Sequence, residues 1–199
     1  MEPETQKCEA ILQAWYPGQQ GGKAVAEVLF GDYNPAGKLP VTFYRNVSQL
    51  PDFEDYNMTG RTYRYMQDVP LFPFGYGLSY TTFGYGKTVL DKNELTAGQS
   101  LKLTVPVTNT GKRNGEEVVQ VYLRKQGDAE GPIKTLRAFK RVSIPAGKTV
   151  NVEFDLKDKE LEWWDDQSNT VRVCPGNYDI MVGGSSKEED LQRTTIAIK

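Results

Sequence analysis

The chain has no histidine and only two cysteines, Cys8 and Cys174, in 199 residues. The first absence removes Ser-His-Asp triads, Cys-His dyads and the commonest metal ligand together. Any catalysis would fall to carboxylates, tyrosine, lysine or serine, and no metal or cofactor is expected. The cysteines form no C-x-x-C spacing. They read as two unrelated thiols, with a bridge between them left open. No apolar run approaches the roughly 18 residues of a membrane span, so no membrane partner is expected. With a formal net charge of -2, there is no excess of basic residues to hold nucleic acid. The start, Met1-Glu-Pro-Glu-Thr5, is too acidic and polar for a signal peptide. That excludes a signal on this chain but not secretion of a longer parent.

What is present points to a turn-rich β protein. Glycine (19) and tyrosine (11) are plentiful, and the apolar and charged fractions of 38% and 25% are ordinary for a globular chain. The length fits one large domain, or one small domain with part of another.

The pattern divides the chain into residues 1–45, 46–84 and 85–199. In the first part, Ile11 to Trp15 reads as a short buried strand and Tyr16-Pro-Gly-Gln-Gln-Gly-Gly22 as a turn. Lys23 to Phe30 reads as a helix with Ala24, Val25, Val28 and Leu29 on one face. Gly31 is placed to end that helix, and Asn34-Pro35 blocks continuation. Leu39, Val41 and Phe43 alternate as a strand would. The result is a β-α-β unit too small to cover its own apolar faces. Residues 46–84 hold Pro51, Pro70, Pro73, Gly60, Gly75 and Gly77 among many aromatics. They are expected to run extended over a surface with their rings packed against it.

From Tyr85 strand-length segments alternate, with no helix expected. Leu101, Leu103, Val105 and Val107 form one, and Pro106 within it suggests a sheet edge. Asn114-Gly115 marks a turn before Val118 to Leu123. Val150 to Leu156, Val171 to Val173, Tyr178 to Val182 and Ile196 to Ile198 follow. The fold class expected is mainly β: an antiparallel sandwich of immunoglobulin or fibronectin type III kind, preceded by the small β-α-β piece and an aromatic connecting segment. Without a Cys-Trp-Cys pattern, the fibronectin type III-like variety is preferred.

Three groups of residues carry a family resemblance. The first runs from Trp15-Tyr-Pro-Gly-Gln-Gln-Gly-Gly22 through Gly31-Asp-Tyr-Asn-Pro-Ala-Gly-Lys-Leu-Pro-Val-Thr-Phe43. The second is Arg61-Thr-Tyr-Arg-Tyr65 with Pro70-Leu-Phe-Pro-Phe-Gly-Tyr-Gly-Leu-Ser-Tyr-Thr-Thr-Phe83. The third comprises Asn109-Thr-Gly111, Glu117-Val-Val-Gln-Val-Tyr122 and Pro175-Gly-Asn-Tyr178. In this order they resemble the C-terminal portion of family 3 glycoside hydrolases, in the β-glucosidase and β-xylosidase branch. The resemblance implies a (β/α)8-type barrel with an Asp nucleophile, then an α/β sandwich domain with a Glu acid/base, then a fibronectin type III-like domain. It places residues 1–45 at the end of the α/β sandwich and both catalytic carboxylates before Met1, so no catalytic residue is assigned here.

Each candidate side chain carries two readings. Gln20 lies in a loop that could border a ligand crevice, or in a glycine turn whose side chains cap a helix start. Trp15, Tyr16, Tyr63 and Tyr65 could border a pocket of an intact enzyme, with Arg61 and Arg64 pairing to carboxylates there. Equally, all of these could fasten the connecting segment. Trp163 and Trp164 could stack on a β-linked saccharide. Neighbours on a strand face opposite ways, though, so at most one of the two should join the core. Tyr178 after Pro175-Gly resembles a tyrosine-corner residue bonding to backbone. Glu188-Glu-Asp190 reads as a solvated charge run. Asn46-Val-Ser48 and Asn57-Met-Thr59 are glycosylation sequons, meaningful only in a eukaryotic secretory pathway.

The resemblance implies an accessory portion of a β-glycosidase from a periplasmic or secreted bacterial parent. Its partners would be the barrel and the rest of the α/β sandwich. A free-standing module that binds carbohydrate or protein is the alternative. Without the rest of the α/β sheet, Ile11, Leu12, Val25, Leu29 and Phe30 are expected to be exposed, and residues 11–43 to be poorly protected in hydrogen exchange or to mediate self-association.

Overall fold

A computed structural model describes residues 5–199. Helix α1 spans Gly21–Phe30 and stops at Gly31, whose positive φ of 82° lets its amide donate to Val28 O (3.1 Å). The helix starts at Gln20 without a side-chain cap. The glycine turn therefore caps through backbone alone, by Gly21 N donating to Gly18 O (2.9 Å).

Neither flanking strand forms. Ile11 to Trp15 has no regular structure, and Ile11 and Leu12 are exposed. A lone apolar run has no sheet edge here to complete its backbone hydrogen bonds. Leu39 to Phe43 is reduced to one bridge, Phe43 with Phe72. Backbone bonds join Leu39 to Gly75 and Tyr76, and Phe43 to Leu71 and Phe72. Pro40 and Pro73 interrupt the ladder between those anchor points, since neither has an N–H to donate.

The connecting segment has one helical turn, α2 (Thr62–Tyr65), and a 3-10 turn at Val47–Gln49. Its rings do pack: Tyr63 stacks on Phe74 with centroids 4.3 Å apart and meets Tyr122 edge-on at 5.8 Å.

The sandwich has two principal sheets. In one, β4 (Leu101–Asn109) pairs with β7 (Thr149–Leu156) on one side and with β1 (Phe83–Tyr85) and β2 (Val89–Leu90) on the other. The other has the order β3-β11-β10-β5-β6, formed by Glu94–Leu95, Leu191–Ile198, Gly176–Gly183, Gly115–Lys125 and Thr135–Ile144. All pairings are antiparallel except the two-residue β3–β11 contact. A small hairpin joins β8 (Trp163–Asp165) to β9 (Thr170–Arg172). One helical turn, α3 (Asp158–Leu161), lies where no helix was expected.

Pro106 does not mark an edge. β4 is central, and Pro106 faces the break between β1 and β2, where it accepts from Gly86 N (2.8 Å). In an antiparallel ladder a residue's N–H and C=O point the same way, so the absent donor of Pro106 falls in that break. Asn114-Gly115 is likewise no hairpin. It carries the chain from β4 in one sheet to β5 in the other, and Gly115 needs no positive φ.

Leu101, Leu103, Val105 and Val107 of β4 face Val119, Val121 and Leu123 of β5 and Ile180 and Val182 of β10 across one core. β4 alternates buried and more open positions, whereas the last six residues of β10 are all buried. A third layer contributes: residues 63–76 cover the outer face of β5 at Gln120 and Tyr122. Gln120 of β5 donates from Nε2 to Gly75 O (3.1 Å), and Ser186 N donates to Phe74 O (2.9 Å). Gly75 has a positive φ of 78°, and a Cβ on it would lie 2.0 Å from Gln120 Oε1, so a side chain there would be strained and would displace Gln120.

Candidate functional site

Large exposed apolar residues are unevenly spread. Thirteen lie between Ile11 and Met58, against four from Tyr85 onward. Tyr16 is 100% exposed, Phe53 95%, Tyr56 92% and Phe30 84%. Scattered exposed apolars are normal, but such a concentration on one stretch marks a surface suited to contact.

This stretch is nonetheless anchored to the connecting segment and to the sandwich. Tyr80 Oη donates to Val28 O (2.6 Å), Asn34 Nδ2 to Asn114 O (2.9 Å) and Arg113 Nη2 to Gly31 O (2.5 Å). Deeper in, Lys38 Nζ donates to Gly77 O (3.1 Å) and pairs with Glu117 at 3.2 Å. Both side chains are largely buried, at 15% and 6% exposure. Tyr85 Oη donates to Glu117 Oε1 (3.1 Å). Burial raises Glu117 above the usual carboxylate range, and Lys38 opposes the rise. Burial and the charge of Glu117 push the Tyr85 phenol far up.

The candidate residues separate into distinct places. Trp15 is half-exposed in a positive-φ conformation (53°), 6.5 Å from the Phe43 ring. Gln20 is exposed at the start of α1. Arg61 bonds backbone oxygens rather than carboxylates, closing its loop onto Asp52, Asp55 and Asn57. Tyr63 is held by its ring partners, and its Oη accepts from Leu136 N (3.1 Å). Arg64 lies over the Tyr65 ring, 5.5 Å from its centroid.

Trp163 is 3% exposed, packed edge-on to Tyr178 at 6.1 Å, with Nε1 donating to Asp128 (2.6 Å). Trp164 is half-exposed and donates to Asp166 (2.7 Å). The opposite facing of adjacent strand residues accounts for this split. Tyr178 Oη donates to Cys174 O (2.9 Å), the backbone bond expected of it. Cys8 is exposed, Cys174 is buried, and no bridge joins them. The acidic run is not wholly solvated: Glu188 Oε2 pairs with the buried Lys134 at 2.8 Å and Glu188 also bonds Arg193, which lowers its pKa.

A cleft of about 680 Å³ lies between the connecting segment and the sandwich, bordered by Tyr63, Phe72, Tyr76, Lys134 and Glu188. Its acidic lining residues are Asp68, Glu188 and Glu189; Lys134 lowers the pKa of Glu188, and Glu117, whose pKa is raised, does not line it. No group of three or more His, Cys, Asp or Glu side chains among the described residues could hold a metal.

Sequence reading missed Lys38, Glu117 and Asn109. The signal for two of them was present, since Glu117 and Asn109 share the strand parity of the core residues beside them. Asn109 is fully buried. Its Oδ1 accepts from Thr81 Oγ1 (2.6 Å), and its Nδ2 donates to Arg113 O (2.7 Å) and Ile144 O (2.9 Å).

The described residues form a fibronectin type III-like sandwich clasped by an aromatic strap, residues 63–76, with helix α1 anchored beside it. Residues 1–80 match the glycosyl hydrolase family 3 C-terminal domain, and residues 117–186 match the fibronectin type III-like domain. The chain belongs to glycoside hydrolase family 3. It is 55% identical over 198 residues to a xylan 1,4-beta-xylosidase of Xylanibacter ruminicola, covering all of this chain and 23% of that protein. It is 38% identical to a periplasmic beta-glucosidase of Salmonella typhimurium, over 92% of this chain and 26% of that one. Among solved structures, a β-glucosidase from Erythrobacter marinus superposes with a TM-score of 0.84 at 42% identity, over 98% of this chain and 26% of that one. A Listeria innocua beta-glucosidase in complex with glucose gives 0.82 at 31%, over 98% and 28%. The chain thus spans about a quarter of the length of the relatives it matches.

Proposed function

We propose that this chain is the C-terminal accessory part of a family 3 β-glycosidase that removes terminal β-glucosyl or β-xylosyl residues, and that it hydrolyses nothing alone. The observation that carries the proposal is the asymmetry of exposed apolar surface. The sandwich buries its own core, while residues 11–58 present Tyr16, Phe30, Phe53 and Tyr56 almost bare. In this reading the barrel and the remaining α/β layer cover that surface.

Retaining hydrolysis needs two carboxyl groups about 5–5.5 Å apart, one as nucleophile and one as acid/base. In this reading both come from that remaining portion. Trp15 and Gln20 stand at the side facing it, while Tyr63 and Arg61 fasten the strap. Purified chain assayed on aryl β-glucosides and β-xylosides should match a heat-treated control, and turnover above that control would overturn the reading.

A further inference from the structure

One cluster is used neither by the core nor by the apolar surface. Arg64 of α2 and Arg137 of β6 are half-buried. Among the described residues neither guanidinium is ion-paired to a carboxylate. Arg64 rests on Tyr65, while Arg137 lies 5.6 Å from the Trp163 centroid and donates from Nη2 to Glu162 O (2.5 Å). Docking brings them together. Ile133 N donates to Arg64 O (2.6 Å), and Leu136 N donates to Tyr63 Oη, so α2 sits on the start of β6.

Arg137 falls at the register shift of β6, where Leu136 pairs with Tyr122 and Ala138 with Val121. It is thus the extra residue of a bulge, a device that re-aims a side chain. Among the described residues, three buried polar atoms have no hydrogen-bond partner: Arg64 Nε, Arg137 Nε and Thr135 Oγ1. Each is a donor, and buried donors left unpaired are costly. Burial first, and then the proximity of Arg64, lower the proton affinity of Arg137, a second unfavourable effect that an anion would relieve. Arg64 also walls a cavity of about 370 Å³ with Thr42, Tyr44, Met58 and Phe74.

We infer that Arg64 and Arg137, with Thr135, form a binding site for one small organic carboxylate. Two guanidinium forks and a hydroxyl match its two oxygens, which accept several donors at once. Inorganic cations would leave the same donors unpaired, and a neutral sugar would accept from them without supplying the opposite charge.

The test uses the full chain, labelled with 15N, titrated with sodium acetate against sodium chloride at equal ionic strength. The Nε–H signals of Arg64 and Arg137 should move along one saturating curve with acetate only. Arg64→Gln should weaken the response by about tenfold or more, and Arg64→Lys, which keeps the charge without the fork, should weaken it less. The remaining backbone spectrum reports that each variant is folded. Equal responses to acetate and chloride, or an acetate response undiminished in Arg64→Gln, would overturn the site.

Discussion

Replacing Lys38 by methionine tests how the first part of the chain, residues 1–45, is latched to the sandwich. Lys38 supplies Glu117 with contacts at 3.2 and 3.4 Å from a side chain only 15% exposed. Methionine fills similar space but leaves the Glu117 carboxylate with Tyr85 Oη as its one remaining side-chain donor. Breaking a buried pair by removing one partner costs about 3–5 kcal/mol, a large share of the roughly 5–15 kcal/mol that holds a domain folded. The lower end is expected here because Lys38 is not wholly dry.

The pH dependence follows from the sign of the shift. Burial already raises Glu117 while Lys38 opposes it, so losing Lys38 raises the folded pKa further. A carboxyl raised in the folded state is least costly below its unfolded value of 4.5. Stability is then lost as pH climbs through the folded value. The assay is urea unfolding of wild type and Lys38→Met from pH 4.5 to 8. The difference between them cancels the other carboxyls, of which Asp55, Asp165 and Glu188 shift the opposite way. The gap should be about 3 kcal/mol at pH 7 and should narrow toward pH 4.5. Adding Glu117→Gln should recover part of the loss, because the uncompensated charge is gone. A gap below about 1 kcal/mol at pH 7, the size of an exposed pair, or one that does not narrow in acid, would refute the latch.

Other outcomes follow from the same structure. Trp163→Ala should cost about 3–5 kcal/mol in chemical denaturation, whereas Trp164→Ala should stay within about 0.5 kcal/mol. Equal effects would contradict their opposite placement. Asn109→Leu strands Thr81 and two carbonyls and should cost about 3 kcal/mol or more, each unpaired buried group contributing about 1–3; a neutral result would mean those groups find other partners. Tyr178→Phe removes one buried hydrogen bond and should lower stability by about 1 kcal/mol, which thermal unfolding can resolve.

Much of the sandwich was legible because period-2 alternation survives wherever one sheet face is open. β4 reads cleanly from Leu101 to Val107 for that reason. In β5 and β10 both faces are covered, so Gln120, Tyr122, Asp179 and Met181 are buried at positions that alternation assigns to solvent. The contiguous run Val118-Val-Gln-Val-Tyr-Leu123 hints at the second cover, but not at what supplies it. Pro106 misled because whether its missing donor matters depends on a break in the neighbouring strand, a property of tertiary pairing. Ile11 to Trp15 and Leu39 to Phe43 have strand composition without a sheet to join. The Lys38–Glu117 latch spans 79 positions, beyond any local pattern, although a glutamate on core parity was its visible half. The Arg64–Arg137 cluster depends on a bulge, which no sequence spacing announces.

The division between a self-sufficient sandwich and a surface awaiting cover is tested most directly by hydrogen exchange on the chain alone. Amides of β4, β5 and β10 should be the slowest, exchanging only on global unfolding, while those of residues 5–34 and 46–60 should exchange orders of magnitude faster. Equal protection of both regions in a protein shown to be monomeric would contradict the account.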